Sequence, residues 1–155
     1  MQKGIAMKWI DLPPVWLAGF IGLTVLVKRY DTWGLTLDHP ITQLLSAFFI
    51  GGGIILMLLA VSEMRRQRTT FIPHRDADRL VQSGIFKRSR NPIYLGDVMV
   101  ATGVILWVDI PQMLLLVPVF LWILERRFVI PEEDRLRAKF RAEFARYCEK
   151  TRRWL

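Results

Sequence analysis

Apolar positions along this chain fall in uninterrupted blocks rather than at helical or alternating spacing. Residues 12–27, 41–61 and 110–124 carry no charge, and residues 93–108 carry one, Asp97. A helix crossing a bilayer needs about 20 apolar residues, with a range of roughly 17–25. The second block meets that outright. The others meet it when flanks such as Tyr30 and Asp109 lie in the interface. A block this short also suits the core helix of a soluble domain, but no amphipathic helices are left over to cover four of them. The pattern therefore predicts an all-α integral membrane bundle of four transmembrane helices. The first block lacks an A-x-A-like cleavage site and ends in Lys28-Arg29, so it reads as a span rather than a signal peptide.

Between the blocks the pattern changes. From Pro131 onward, Leu136, Phe140, Phe144 and Tyr147 recur at helical spacing. Pro131 suits a first helical turn, and Glu132, Glu133 and Asp134 suit the positive end of a helix. This predicts an amphipathic C-terminal helix starting at Pro131, lying in the membrane interface or packed on the rest of the protein. Residues 62–92 are too long for a mere connector. Leu80, Val81, Ile85 and Phe86 around Gly84 imply order at the membrane surface. Residues 1–155 read as one domain. Residues 1–61 form two N-terminal spans, and 62–155 form a second half with a helical hairpin turning near Asp109.

Composition sharpens this picture. The chain has 155 residues, is 52% hydrophobic, and carries a net charge of +8. Its mean hydropathy is +0.27 and its pI about 10.3. Such apolarity excludes a disordered chain. A lone cysteine, Cys148, excludes a disulfide scaffold. The basic residues concentrate in 62–92, with eight Lys and Arg, and in 125–155, with ten; the turn at Asp109 has none. The positive-inside rule then puts 62–92, the C-terminus and the N-terminus with Lys3 and Lys8 in the cytoplasm, across an inner (plasma) membrane. Positive-inside topology and anionic headgroups account for the basicity without nucleic acid.

The chemistry-bearing segment is Arg90-Asn91-Pro92-Ile93-Tyr94-Leu95-Gly96, at the start of the third apolar block. It follows Leu80-Val81-Gln82-Ser83-Gly84-Ile85-Phe86. It precedes a hydrophobic hairpin, Glu132-Glu133, the Phe140, Phe144 and Tyr147 stripe, and a terminal Arg153-Trp154. In order and spacing this set resembles the isoprenylcysteine carboxyl methyltransferase and phospholipid methyltransferase superfamily, over Leu80 to Leu155. The resemblance implies an integral membrane methyltransferase with S-adenosylmethionine as cofactor, held in a cytoplasm-facing pocket of the second half. No strand followed by G-x-G-x-x-G is present, and Gly51-Gly52-Gly53 reads as close helix packing. Carried over to this chain, Leu80, Val81 and Phe86 line the cofactor. Arg90, Asn91, Pro92, Ile93, Tyr94 and Gly96 cradle it, and Glu132 or Glu133 holds a polar end. Arg127, with Arg126 next to it, meets the acceptor. Glu133 and Asp97 stand as candidate bases.

The residue types suit those roles. A carboxylate offsets a sulfonium, and a Tyr94 ring attracts it by about 0.5–2 kcal/mol. Arg90 suits a carboxylate and Asn91 suits adenine. The chain departs from the family pattern at Asn91 in place of His, Phe86 in place of Tyr, and Arg141 in place of the Gly after Phe140. His39 reads as interfacial and His74 as a loop residue with a lesser claim as base. Cys148 lacks a histidine neighbour to activate it, and no H-x-x-x-H or C-x-x-C pair suggests a metal. The acceptor class is a prenylated-cysteine-like carboxylate, a lipid amine or a thiol. Partners are the bilayer, a lipophilic acceptor and, for a large lipid, a second copy of the chain. A nicotinamide-dependent membrane reductase related to sterol reductases and a non-catalytic membrane scaffold are the alternatives.

Overall fold

The computed structural model describes residues 12–69 and 79–155; Lys3, Lys8 and His74 lie outside the described residues. Those described fold as helices without a strand. Helix α1 is Pro13–Arg29, α2 is Pro40–Arg66 and α3 is Pro92–Val108. A 3₁₀ segment Pro111–Leu116 leads into α4, Val117–Leu124, then a π turn Glu125–Val129 and α5, Ile130–Lys150. Proline stands in the first turn of α1, α2 and α3, where a missing N–H leaves no hydrogen bond unmade.

Helix α2 is long and apolar enough to cross a membrane, and 17% of its most apolar stretch is buried. Leu44, Phe48, Ile55 and Leu58 project outward from it, each more than half exposed. Helix α3 is apolar but shorter. The two pack through glycine. A Cβ on Gly96 would stand 2.7 Å from the Gly53 carbonyl oxygen, and a Cβ on Gly53 would stand 2.7 Å from that of Gly96. Further along, the Ser46 hydroxyl donates to the Gly103 carbonyl at 2.8 Å. Of the expected glycine triplet, Gly53 makes this close approach and Gly52 meets the end of Met99, whereas Gly51 faces open space.

The α3 hairpin turns on Asp109, which adopts a left-handed conformation with φ 57°. Asp tolerates that region better than most residues. Its carboxylate accepts from the Thr36 hydroxyl at 2.5 Å and the Leu37 amide at 2.6 Å, and its carbonyl accepts from Lys28 at 3.0 Å. The loop after α1 is thereby tied to the hairpin.

Residues 79–91, just before α3, are ordered around their apolar side chains. Gly84–Lys87 form a 3₁₀ turn. Val81 and Phe86 are buried with Ala60 of α2. Gly84 has φ 59°, and a Cβ there would meet the Glu63 carboxylate at 3.0 Å. Ser83 and Gln67 both donate to that same carboxylate.

The C-terminal helix differs from its sequence expectation. Pro131 does fall in the first turn of α5, yet no loop separates α5 from α4, because the π turn carries the chain across. Proline removes the N–H that would bond four residues back and crowds that carbonyl; a wider turn takes up the slack without ending the helix. Phe144 and Tyr147 of the apolar stripe are buried, with Leu136 and Phe140 at its margin. A kink interrupts α5 at Arg141, where φ is 43° and ψ −112°.

Candidate functional site

The residues singled out around Arg90 and Glu132-Glu133 converge where the start of α3 meets the start of α5. Glu133 is buried there. Arg90 donates to its Oε1 from Nε and Nη2 at 3.2 and 3.1 Å. Arg153 grips the other side, with Nη2 at 2.8 Å from Oε2. The Asn91 amide donates to Oε1 at 3.3 Å. Arg153 also reaches back to Glu125, with Nη1 2.5 Å from Oε1. The π turn places Glu125 and Glu133 within reach of that one guanidinium.

Burial pushes the Glu133 carboxyl upward. The hydrogen bonds from Arg153, the charges of Arg90 and Arg153 and the Asn91 amide outweigh that, and hold it below the usual glutamate range. The hydrogen bonds of Arg153 to Glu133 in turn raise its own guanidinium. Glu133 thus stays ionised between two cations.

The same residues fasten the chain end. Arg90 donates from Nη1 to the Thr151 carbonyl at 2.6 Å and from its backbone to the Arg152 carbonyl at 3.0 Å. Asn91 and Ser89 both donate to the Arg153 carbonyl, at 3.2 and 3.3 Å. The Tyr147 hydroxyl donates to the Phe86 carbonyl at 2.7 Å, joining α5 to the 3₁₀ turn, and burial raises its pKa above the ordinary tyrosine value.

Beside this ion cluster lies an aromatic wall. The Tyr94 hydroxyl donates to Glu132 Oε2 at 2.8 Å. The Tyr94 ring stacks on Phe128 at 6.1 Å between centroids. Trp16 of α1 and Trp154 pack against the same cluster. Arg127 is exposed and lies over the Trp16 ring, 5.2 Å from its centroid. One turn along α3 from Tyr94, Asp97 is 2% exposed, and its Oδ2 is buried with no hydrogen-bond partner among the described residues. A buried acid with an unpartnered oxygen is costly in an apolar helix.

Placement of the remaining expected residues is mixed. Leu80 is half-buried, Val81 and Phe86 are buried, and Ile93 packs against the cluster those two form. Pro92 is fully buried at the start of α3, and Gly96 lies against Gly53 and Met57 of α2. The two glutamates divide the work, Glu132 toward Tyr94 and Glu133 toward the arginines. Sequence reasoning left out Trp16, whose buried Nε1 has no hydrogen-bond partner among the described residues, and Glu125. Arg153 was visible only as part of a terminal Arg-Trp pair. Glu125 directly precedes Arg126-Arg127, and nothing in its spacing linked it to Glu133.

No curated protein and no solved structure matches the chain. Residues 41–143 match the family model described as phospholipid methyltransferase. The match runs from the first turn of α2 into α5 and takes in Arg90, Tyr94, Asp97, Glu132 and Glu133. It covers well over half of the sequence, and the chain belongs to the phospholipid methyltransferase family.

Proposed function

We propose that the protein transfers a methyl group from S-adenosylmethionine to a lipophilic acceptor at the cytoplasmic face of a membrane. The observation that carries the reading is Asp97, a buried acid with an unpartnered oxygen one turn from the Tyr94–Glu132 pair. A sulfonium cofactor suits this lining. Glu132 supplies negative charge and Tyr94 a π face for the cation. Leu80, Val81, Phe86, Pro92 and Ile93 supply apolar cover, and Arg90 and Asn91 hold the cradle in place through Glu133.

When bound, the cofactor supplies an electrophilic methyl group. The residues of the chain do the rest. Tyr94 and Glu132 orient the cationic pole, and the Phe128, Trp16 and Trp154 wall excludes water, so alignment and a dry site make up most of the catalysis. Arg127, exposed beside Trp16, meets the polar head of the acceptor. Asp97 Oδ2 takes the proton that an amine acceptor must lose before it becomes nucleophilic. Glu133, gripped by two arginines, orients them.

The four apolar segments cross the bilayer in this reading. The basic ends of α2 and α5 then lie on the Glu133 side, with both termini cytoplasmic in an inner (plasma) membrane. The partners are the bilayer, the acceptor and, for a large lipid, a second copy. The test is titration of detergent-purified protein with S-adenosylmethionine, with NADPH as the comparison, followed by transfer of labelled methyl into lipid extract. Binding that Tyr94→Ala and Glu132→Ala weaken, with label transfer that Asp97→Asn abolishes, is the expected outcome. Absence of binding with lipid present, or binding of NADPH instead, refutes the reading.

A further inference from the structure

Trp16 stands in the first turn of α1, outside the residues matched to the family. Its place is set by the face that α1 turns inward. Phe20, one turn on, stacks on Phe120 at 4.7 Å between centroids, and Thr24, one turn further, is fully buried. Residues four apart share a helix face, so the same packing carries Trp16 onto the cluster of Tyr94 and Phe128.

A tryptophan near the end of a membrane helix ordinarily anchors it in the interface, with its N–H turned toward water and headgroups. Trp16 does the reverse. Its Nε1 is buried and has no hydrogen-bond partner among the described residues. Its ring face is engaged by a cation instead: the exposed Arg127 guanidinium lies 5.2 Å from the ring centroid. The indole thus holds a charge with its face and points a bare donor into the protein. Asp97 Oδ2, the buried acceptor one turn from Tyr94, does not fill that donor.

We propose that Trp16 is a specificity-determining residue, whose inward N–H donates to an oxygen on the head of the methyl acceptor while its ring seats Arg127 beside that head. The inference rests on the methyl-transfer reading and adds the choice of acceptor to it. A buried donor left unmatched by a ligand penalises that ligand. Sites built to hydrogen-bond a substrate hydroxyl therefore reject the analogue that lacks it. A thiol or a plain alkyl amine would leave the Trp16 N–H unmatched. The segment making the choice is α1, so it can differ between chains that share the matched residues.

The experiment uses the full chain in detergent and two probes that differ by one hydroxyl. One is dodecylamine; the other is the amino alcohol of equal chain length, with its hydroxyl on the carbon next to the one bearing nitrogen. Nitrogen-edited NMR follows the indole N–H signals without turnover. The Trp16 signal is expected to move downfield with the amino alcohol and to stay in place with dodecylamine. In labelled methyl transfer the amino alcohol should have the lower KM by roughly fivefold, equivalent to about 1 kcal/mol, one net hydrogen bond. Trp16→Phe keeps a ring for Arg127 and removes the N–H, so that preference should vanish. Trp16→Leu removes the ring as well and should raise KM for both probes. A Trp16 signal that the amino alcohol does not move, or that both probes move alike, overturns the proposal. So does a preference that Trp16→Phe retains. The NMR result stands apart from the S-adenosylmethionine titration, which tests the methyl-transfer reading itself.

Discussion

Replacing Arg141 by glycine should stabilise the protein. Arg141 interrupts α5 with φ 43° and ψ −112°, a conformation that side chains with a Cβ rarely adopt. The residue is exposed, so removing its side chain opens no cavity. Holding such a conformation costs about 1–3 kcal/mol. Glycine relieves that strain but loses about 0.5–1 kcal/mol of additional chain entropy on folding. The net gain is about 0–2.5 kcal/mol, centred near 1 kcal/mol. For a chain of this size each 1 kcal/mol raises the melting temperature by about 2–4 °C. Helical signal at 222 nm in detergent, followed at one fixed heating rate, reads the shift. Arg141→Ala is the decisive control, because it removes the guanidinium and keeps the Cβ. It should gain nothing. Equal melting of the Gly and Ala variants would refute the argument, since the guanidinium and not the backbone would then be at issue.

Other substitutions separate structure from chemistry. Asp97→Asn replaces a buried unpaired acid by a neutral amide, so melting temperature should rise while methyl transfer is lost; loss of both would make Asp97 a packing residue. Glu133→Ala leaves Arg90 and Arg153 without their shared partner and should cost about 3–5 kcal/mol, read as the same thermal shift with opposite sign. Because the Glu133 pKa is depressed on folding, its contribution is present above the ordinary value of 4.5 and is lost as pH falls below it. Acid should therefore loosen the C-terminal segment, and hydrogen exchange of residues 151–154 across that range would detect it. Gly96→Ala puts a Cβ against the Gly53 carbonyl and should cost about 1–3 kcal/mol, whereas Gly51→Ala, with open space around it, should be neutral in the same melt.

Much of the architecture was legible because hydrocarbon-like blocks have few alternatives. Four apolar stretches, three of them uncharged, underlie the helices at 13–29, 40–66, 92–108 and 117–124. The triplet Gly51-Gly52-Gly53 was legible as a packing site, but which of its members makes the close approach was not: Gly53 does and Gly51 faces open space. Arg141 stood out as a residue where glycine belongs, and the backbone conformation supplies the reason. The fourth segment was the exception. Pro131 signalled a helix start, and periodicity could not reveal that a π turn would join α4 to α5.

The resemblance to the family singled out Arg90, Asn91, Tyr94, Glu132 and Glu133, and the fold brings them together, but their wiring was not legible. Which glutamate takes the arginines and which takes tyrosine depends on helical phase, and the π turn shifts that phase. Sequence therefore determined the helical class and the segregation of charge, since both depend on local residue chemistry. Tertiary structure alone decided that Arg153 closes on Glu133 and Glu125, that Trp16 joins Tyr94, and that Asp97 is buried with Oδ2 unpartnered among the described residues. Those facts arise from contacts between residues far apart in the chain, whose geometry no local spacing encodes.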